Sequence, residues 1–238
     1  MRRVRTILVT GFSPFPGAPV NPTERLMHRL PRRLGKHQCG VEFVFHVLPT
    51  TWAGRRDVTD RLRLDIRPDA IVHFGVDGTR RTLNIETRAI NRAVRVRPDA
   101  MGRAPERPEL APSGERIRRS TLPGRALCRA ALAARAPAAL SDNAGTYLCN
   151  ATLWDSIGSG IPSICPCACA PQGPARQPAP ISSCRRCGRP PASGNRTAAA
   201  VNRPLPPAIQ QPLHLADTII RHFGRQPRPP QNAQTQIS

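Results

Sequence analysis

Apolar runs of strand length alternate with amphipathic stretches of helix length through roughly the first 160 residues. Residues 4–10 form a short β-branched run that predicts a buried first strand. A loop follows, Gly11 to Gly17, holding Phe12 and, between two prolines, Phe15. Asn21 and Pro22 then read as the N-cap and first position of a helix, with Pro31 limiting its length. Residues 41–48 alternate Glu42 and His46 with apolar neighbours and predict a second strand. Residues 55–64 read as a second helix and 69–74 as a third strand ending at Gly75. Strand, helix, strand, helix, strand at this spacing predicts an α/β fold with a doubly wound, mostly parallel sheet. Residues 83–91 read as extended, 92–119 as a polar arm rich in Arg and Pro, and 122–136 as a further helix.

Composition changes the picture at one point. From residue 165 to 211 there is no Phe, Tyr, Trp, His, Asp or Glu, while proline and arginine are dense. Such a stretch buries too little apolar surface to offset its ordering entropy. The expected organisation is therefore a folded domain over residues 1–164 and a disordered Pro/Arg/Cys-rich segment over 165–211. Beyond it come a terminal amphipathic helix over 212–224 and a disordered tail over 225–238. The abruptness of the change after Ile164 suggests an altered reading frame.

The net charge is +21, and Lys36 is the only lysine. The arginines are spread along the chain instead of lining one face, and aromatics are 4%, too few for a base-stacking platform. Nucleic acid is not the expected partner. No stretch reaches the ~20 apolar residues of a membrane span. The basic start of the chain is followed by a strand and not by a cleavable signal, so a cytosolic location and reduced cysteines are expected.

Candidate chemistry concentrates at Cys149, preceded by small and polar residues and followed by a helical pattern. A thiol in the first turn of a helix feels its partial positive charge, which favours the reactive thiolate. The competing reading is an inert buried cysteine. Phe12 and Phe15 either wall an apolar pocket at the carboxyl end of the first strand or cap the core. Glu86, beside Arg88, has the ordinary reading of a surface ion pair. Cys184 and Cys187 have the gap of a zinc half-site. The one-residue gaps of Cys165, Cys167 and Cys169 suit a closed tetrahedral site poorly, so no metal and no cofactor is expected.

Several segments occur together in a set order. Gly11-Phe12-Ser13-Pro14-Phe15 precedes Asn21-Pro22, and Phe74-Gly75 precedes Glu86 and Ala89-Ile90-Asn91. Pro98-Asp99 lies in the arm, before Ser120-Thr121-Leu122-Pro123. Asn143-Ala144-Gly145-Thr146-Tyr147-Leu148-Cys149-Asn150 comes last. This set resembles the pyroglutamyl-peptidase I family of cysteine peptidases, over roughly residues 4–164. The resemblance implies a three-layer α/β/α sandwich with an open, mostly parallel twisted sheet and an irregular C-terminal segment. It implies a cytosolic exopeptidase, a tetramer in the family, acting on peptides with an N-terminal pyroglutamate. It implies Cys149 as nucleophile, Glu86 as the acidic member of a Cys-His-Glu set, and Phe12 and Phe15 as holders of the flat lactam ring.

The same resemblance implies a histidine a couple of dozen residues or fewer after the cysteine, in an apolar strand. Residues 160–164 begin such a strand, but the next histidine is His214. His28, His37, His46 and His73 fall at positions that are not catalytic in the family. His214 and His222 lie on the expected terminal helix. No histidine is therefore assigned as the base.

Overall fold

The computed structural model describes residues 4–168 except 36, 39, 81, 95, 96 and 113. All but the first four residues of the expected segment at 165–211, and the whole of those at 212–224 and 225–238, lie outside the described residues. In chain order the elements are β1 (Arg5–Phe12), α1 (Pro22–Leu34), β2 (His37–Gln38), β3 (Val41–Leu48), α2 (Trp52–Ile66), β4 (Ala70–His73) and β5 (Gly75–Val76). There follow β6 (Leu83–Glu86), β7 (Arg88–Ile90), β8 (Ile117–Arg119), α3 (Gly124–Ala133), β9 (Ala138–Ser141), α4 (Leu148–Gly158) and β10 (Ser163–Ala168).

The main sheet has the order β2-β3-β1-β4-β10-β6-β9, with β5 also paired to β10. β1 is parallel to β3 and β4, β4 to β10, and β6 to β9. The β10–β6 and β2–β3 pairs are antiparallel. Crossover helices cover both faces of such a sheet, which explains the near-continuous apolar runs of β1 and β4. α1 and α3 share one core with Ile7, Val9, Val72 and Ile85. α2 and α4 lie together on the opposite face, joined by the Arg55–Asp155 ion pair at 2.6 Å. The expected α/β/α sandwich is the fold of the chain.

Two local devices fix the loop after β1. Asn21 caps α1, its Oδ1 accepting the Thr23 N–H at 3.0 Å, while its Nδ2 donates to the Ser13 carbonyl at 3.1 Å. Thr23 Oγ1 in turn accepts the Phe12 N–H at 2.9 Å. Gly11 permits this contact, since a Cβ there would come within 2.5 Å of the Thr23 carbonyl oxygen.

Three expectations are corrected. Pro31 does not limit the first helix: α1 continues to Leu34, and the Pro31 carbonyl still accepts the Gly35 N–H at 3.0 Å. The arm is not wholly irregular, because β8 pairs antiparallel with β7. The folded part also continues past Ile164. β10 carries Cys165, Pro166 and Cys167, all buried, between β4 and β6. Local composition missed this because a central strand takes its stability from both neighbours and not from its own residues.

Candidate active site

The site lies at the carboxyl ends of β1 and β4, where α4 begins. Ligands of open α/β sheets bind at this edge. Tyr147 is the N-cap of α4 and supplies no side-chain cap, and the first intrahelical bond runs from the Ala151 N–H to the Tyr147 carbonyl. The N–H groups of residues 148–150 therefore point out of the helix start. Cys149 is the second residue of α4 and half-buried. Its pKa is driven well below the ordinary thiol value, first by hydrogen bonds from the Cys165 and Cys167 thiols and then by Val76; burial opposes the shift. Cys165 and Cys167 move upward, because their thiols donate to Cys149.

Gly75 sets how close this sulfur sits. A Cβ at Gly75 would lie 2.5 Å from Cys149 Sγ and 2.9 Å from Cys167 Sγ. Asn150 anchors the same turn: its Oδ1 accepts the Ile90 N–H at 2.9 Å, and its Nδ2 donates to the Ile90 and Arg92 carbonyls. Both residues stand in the quoted motifs, but their roles become visible only once β5, β7 and α4 are together.

Glu86 ends β6, 1% exposed, directly opposite Cys165 in the antiparallel ladder. The surface ion-pair reading is corrected, since Arg88 pairs instead with Asp142 at 3.2 Å. Burial raises the Glu86 pKa, against the Ser141 hydroxyl, the Arg80 charge and the Asn143 N–H; the Cys149 charge adds to the rise. One carboxylate oxygen, Oε2, is buried without a hydrogen-bond partner.

The two phenylalanines divide the readings offered for them. Phe12 is 3% exposed and packs with Leu48 and Leu148, bordered by Trp52, Tyr147 and Cys149. Phe15 is half-buried, its ring 6.1 Å from that of Tyr147. Trp52 meets Tyr147 edge-on at 5.6 Å. Together they make an aromatic wall beside the thiol. The arm holds this wall in place: Tyr147 Oη donates to the Pro98 carbonyl at 2.8 Å, and Asp99 accepts the Trp52 N–H at 3.0 Å. Trp52, Tyr147 and Asp99 carried no assigned role in the sequence. The Pro98-Asp99 motif was the available signal.

His73 cannot act as the base. Its Nδ1 lies 2.7 Å from Thr10 Oγ1 and its Nε2 2.8 Å from Ser156 Oγ. Burial, with Arg63 and Arg55 adding to it, lowers its pKa to about 3. His28 lies on α1, His37 in β2 and His46 on β3; His214 and His222 are outside the described residues. The side chains facing Cys149 from β10 are Cys165 and Cys167, and the three sulfurs lie within 4.8 Å of one another.

A helix-start thiol at the edge of a parallel α/β sheet, with a buried carboxylate one strand beyond it, is an arrangement that the cysteine-peptidase class of hydrolases can use. The family model described as pyroglutamyl peptidase matches residues 5–160. A pyrrolidone-carboxylate peptidase of Thermococcus onnurineus is 34% identical over 148 residues, covering 62% of this chain and 72% of that relative. One from Ralstonia nicotianae is 37% identical over 145 residues, 61% of this chain and 66% of that relative. The crystal structure of Bacillus amyloliquefaciens pyroglutamyl peptidase I superposes with a TM-score of 0.63 at 27% identity, covering 69% of this chain and 81% of that one. A mutant pyrrolidone carboxyl peptidase from Pyrococcus furiosus gives 0.63 at 30% identity, covering 68% and 80%. The chain belongs to the pyroglutamyl peptidase family, whose members are cysteine peptidases. The family match ends at residue 160, before β10 begins at Ser163.

Proposed function

We propose that the chain is a cysteine exopeptidase for the N-terminal pyroglutamyl residue of peptides, working slowly because no histidine among the described residues serves Cys149. The Cys149 sulfur, set in the first turn of α4 and flanked by an aromatic wall, carries this reading. The neutral lactam ring of the substrate lies against Phe15, on a wall that Phe12 backs from the core. A free N-terminal amine would lose its hydration there without a partner, so it is rejected. The thiolate attacks the carbonyl that joins the lactam to the next residue; the C–N bond breaks as the peptide amine takes a proton from water, and a second water then hydrolyses the thioester, releasing pyroglutamate and restoring the thiol. The outward N–H groups of the α4 start receive the oxyanion. Glu86 is the carboxylate that would orient a histidine. Cys165 stands opposite Glu86 instead, and among the described residues no imidazole returns a proton to the leaving amine. General acid–base help is worth on the order of 10²–10⁴ in rate, and turnover is reduced accordingly. A cytosolic location and self-association belong to the same reading.

Hydrolysis of a pyroglutamyl chromogenic peptide by the full chain, beside Cys149→Ala, is the test. A slow release of chromophore that disappears in the variant is expected. Cys165→His, made with Cys167→Ala to give the ring room, places an imidazole between Cys149 and Glu86 and is expected to raise kcat by about a hundredfold. Equal rates in wild type and Cys149→Ala would defeat the peptidase reading. Tight lactam binding without turnover would favour a non-catalytic relative.

A further inference from the structure

The three sulfurs at the site have a use that peptide hydrolysis does not require. We propose that Cys149, Cys165 and Cys167 form a three-thiolate site for one thiophilic divalent cation of the zinc type. This inference goes beyond the peptidase reading.

The geometry suits it. Zinc–thiolate bonds of about 2.3 Å in a tetrahedral arrangement set sulfur–sulfur separations near 3.8 Å. Cys165 Sγ and Cys167 Sγ are 3.5 Å apart, and Cys149 Sγ lies with both inside 4.8 Å. The ligands stand on rigid supports. Cys165 and Cys167 are two apart on central strand β10, so they share a face, and Cys149 is fixed at the start of α4. The unfavourable one-residue gap seen in the sequence concerns neighbouring ligands only; α4 packing on β10 brings the third sulfur.

A further observation points the same way. Three thiolates and a divalent cation sum to one negative charge. The α4 N-terminus stabilises a centre of that sign. Binding forms three metal–sulfur bonds and releases the thiol protons to water, so affinity rises with pH. The cation holds the Cys149 lone pair, so the loaded protein has no nucleophile.

The test is a cobalt titration of the phosphine-reduced full chain, followed by displacement with zinc. The background is a variant in which Cys39, Cys128, Cys169, Cys184 and Cys187 are all serine. One equivalent of cobalt with thiolate charge-transfer bands and the intense visible bands of four-coordinate cobalt is expected. Zinc should erase these bands and protect Cys149 from iodoacetamide. Losing merely supporting groups around a metal costs about 10–100-fold in affinity, so Cys165→Ser or Cys167→Ser should cost at least that. Far-UV circular dichroism verifies that each variant is folded. Should Cys167→Ser unfold the chain, Cys165→Ser and the iodoacetamide protection still decide. Absence of cobalt bands in the folded background variant, or affinity unchanged in a folded Cys165→Ser, would overturn the proposal. No peptide is present, so this result is independent of whether the chain hydrolyses pyroglutamyl substrates.

Discussion

At Gly75 the residue is chosen by what it lacks. Its backbone lies so close to Cys149 that any Cβ would collide with the sulfur at 2.5 Å. Gly75→Ala must therefore push Cys149 from its place at the start of α4. Overpacking of a tight site costs typically about 1–3 kcal/mol. The expected outcome is a lower Tm by calorimetry together with slower iodoacetamide labelling of Cys149 at neutral pH. A variant that labels as fast as wild type would show that Gly75 does not set the thiol's position. Cys149, Glu86 and the two phenylalanines could be singled out in the sequence because each sits in a short local pattern. The burial of Glu86 was not legible there. Its neighbour Arg88 suggested a surface pair, yet Arg88 lies on β7, which pairs with β8, and reaches Asp142. Chain proximity misled because the strands part at Thr87.

Among the elements, α2 and α4 are joined by a contact that sequence periodicity does not reveal. Arg55 and Asp155 are 5% and 11% exposed and meet at 2.6 Å. Burial lowers the Arg55 pKa, and Asp155 is the charge that opposes this. Asp155→Ala leaves a guanidinium buried without its partner. Breaking such a pair is expected to cost about 3–5 kcal/mol, read as a fall in the denaturant midpoint with the slope of the transition unchanged. A loss under about 1 kcal/mol would mean that the guanidinium finds water instead. Most elements were legible from period and punctuation: the Asn21-Pro22 start of α1 and the apolar runs of β1 and β4 are local signals. β10 was legible only to Ile164, where helpful composition ends. Cys165 and Cys167 take their place in the sheet from pairing with β4, β5 and β6, and none of those partners is near in sequence.

For the molecule as a whole, His73 links the sheet to the helical layer that carries Cys149. It sits in β4, contacts Thr10 of β1 through Nδ1, and reaches Ser156 of α4 through Nε2. It is fully buried, with a pKa taken from 6.5 to about 3 by burial first and by Arg63 and Arg55 next. The folded state holds this ring neutral, while the unfolded chain protonates it near its ordinary value. Between those two values the unfolded state binds more protons, so stability falls as pH falls. The contribution is complete above about 6.5 and is lost progressively towards 3. At about 1.4 kcal/mol per pH unit, the loss is on the order of 5 kcal/mol. Glu86 acts in the opposite sense. Its raised pKa favours the protonated folded form, so its stabilising effect fades as pH rises above the ordinary carboxylate range. Urea midpoints measured from pH 7 down to pH 4 should therefore decline in the wild type. In His73→Asn, which lacks an ionising ring, the decline should be much shallower, even though the variant starts from lower stability. The comparison rests on slopes, so a destabilised variant still answers it. Parallel slopes would mean that the acid sensitivity arises elsewhere, and that His73 is not what ties β4 to α4 in a pH-dependent way.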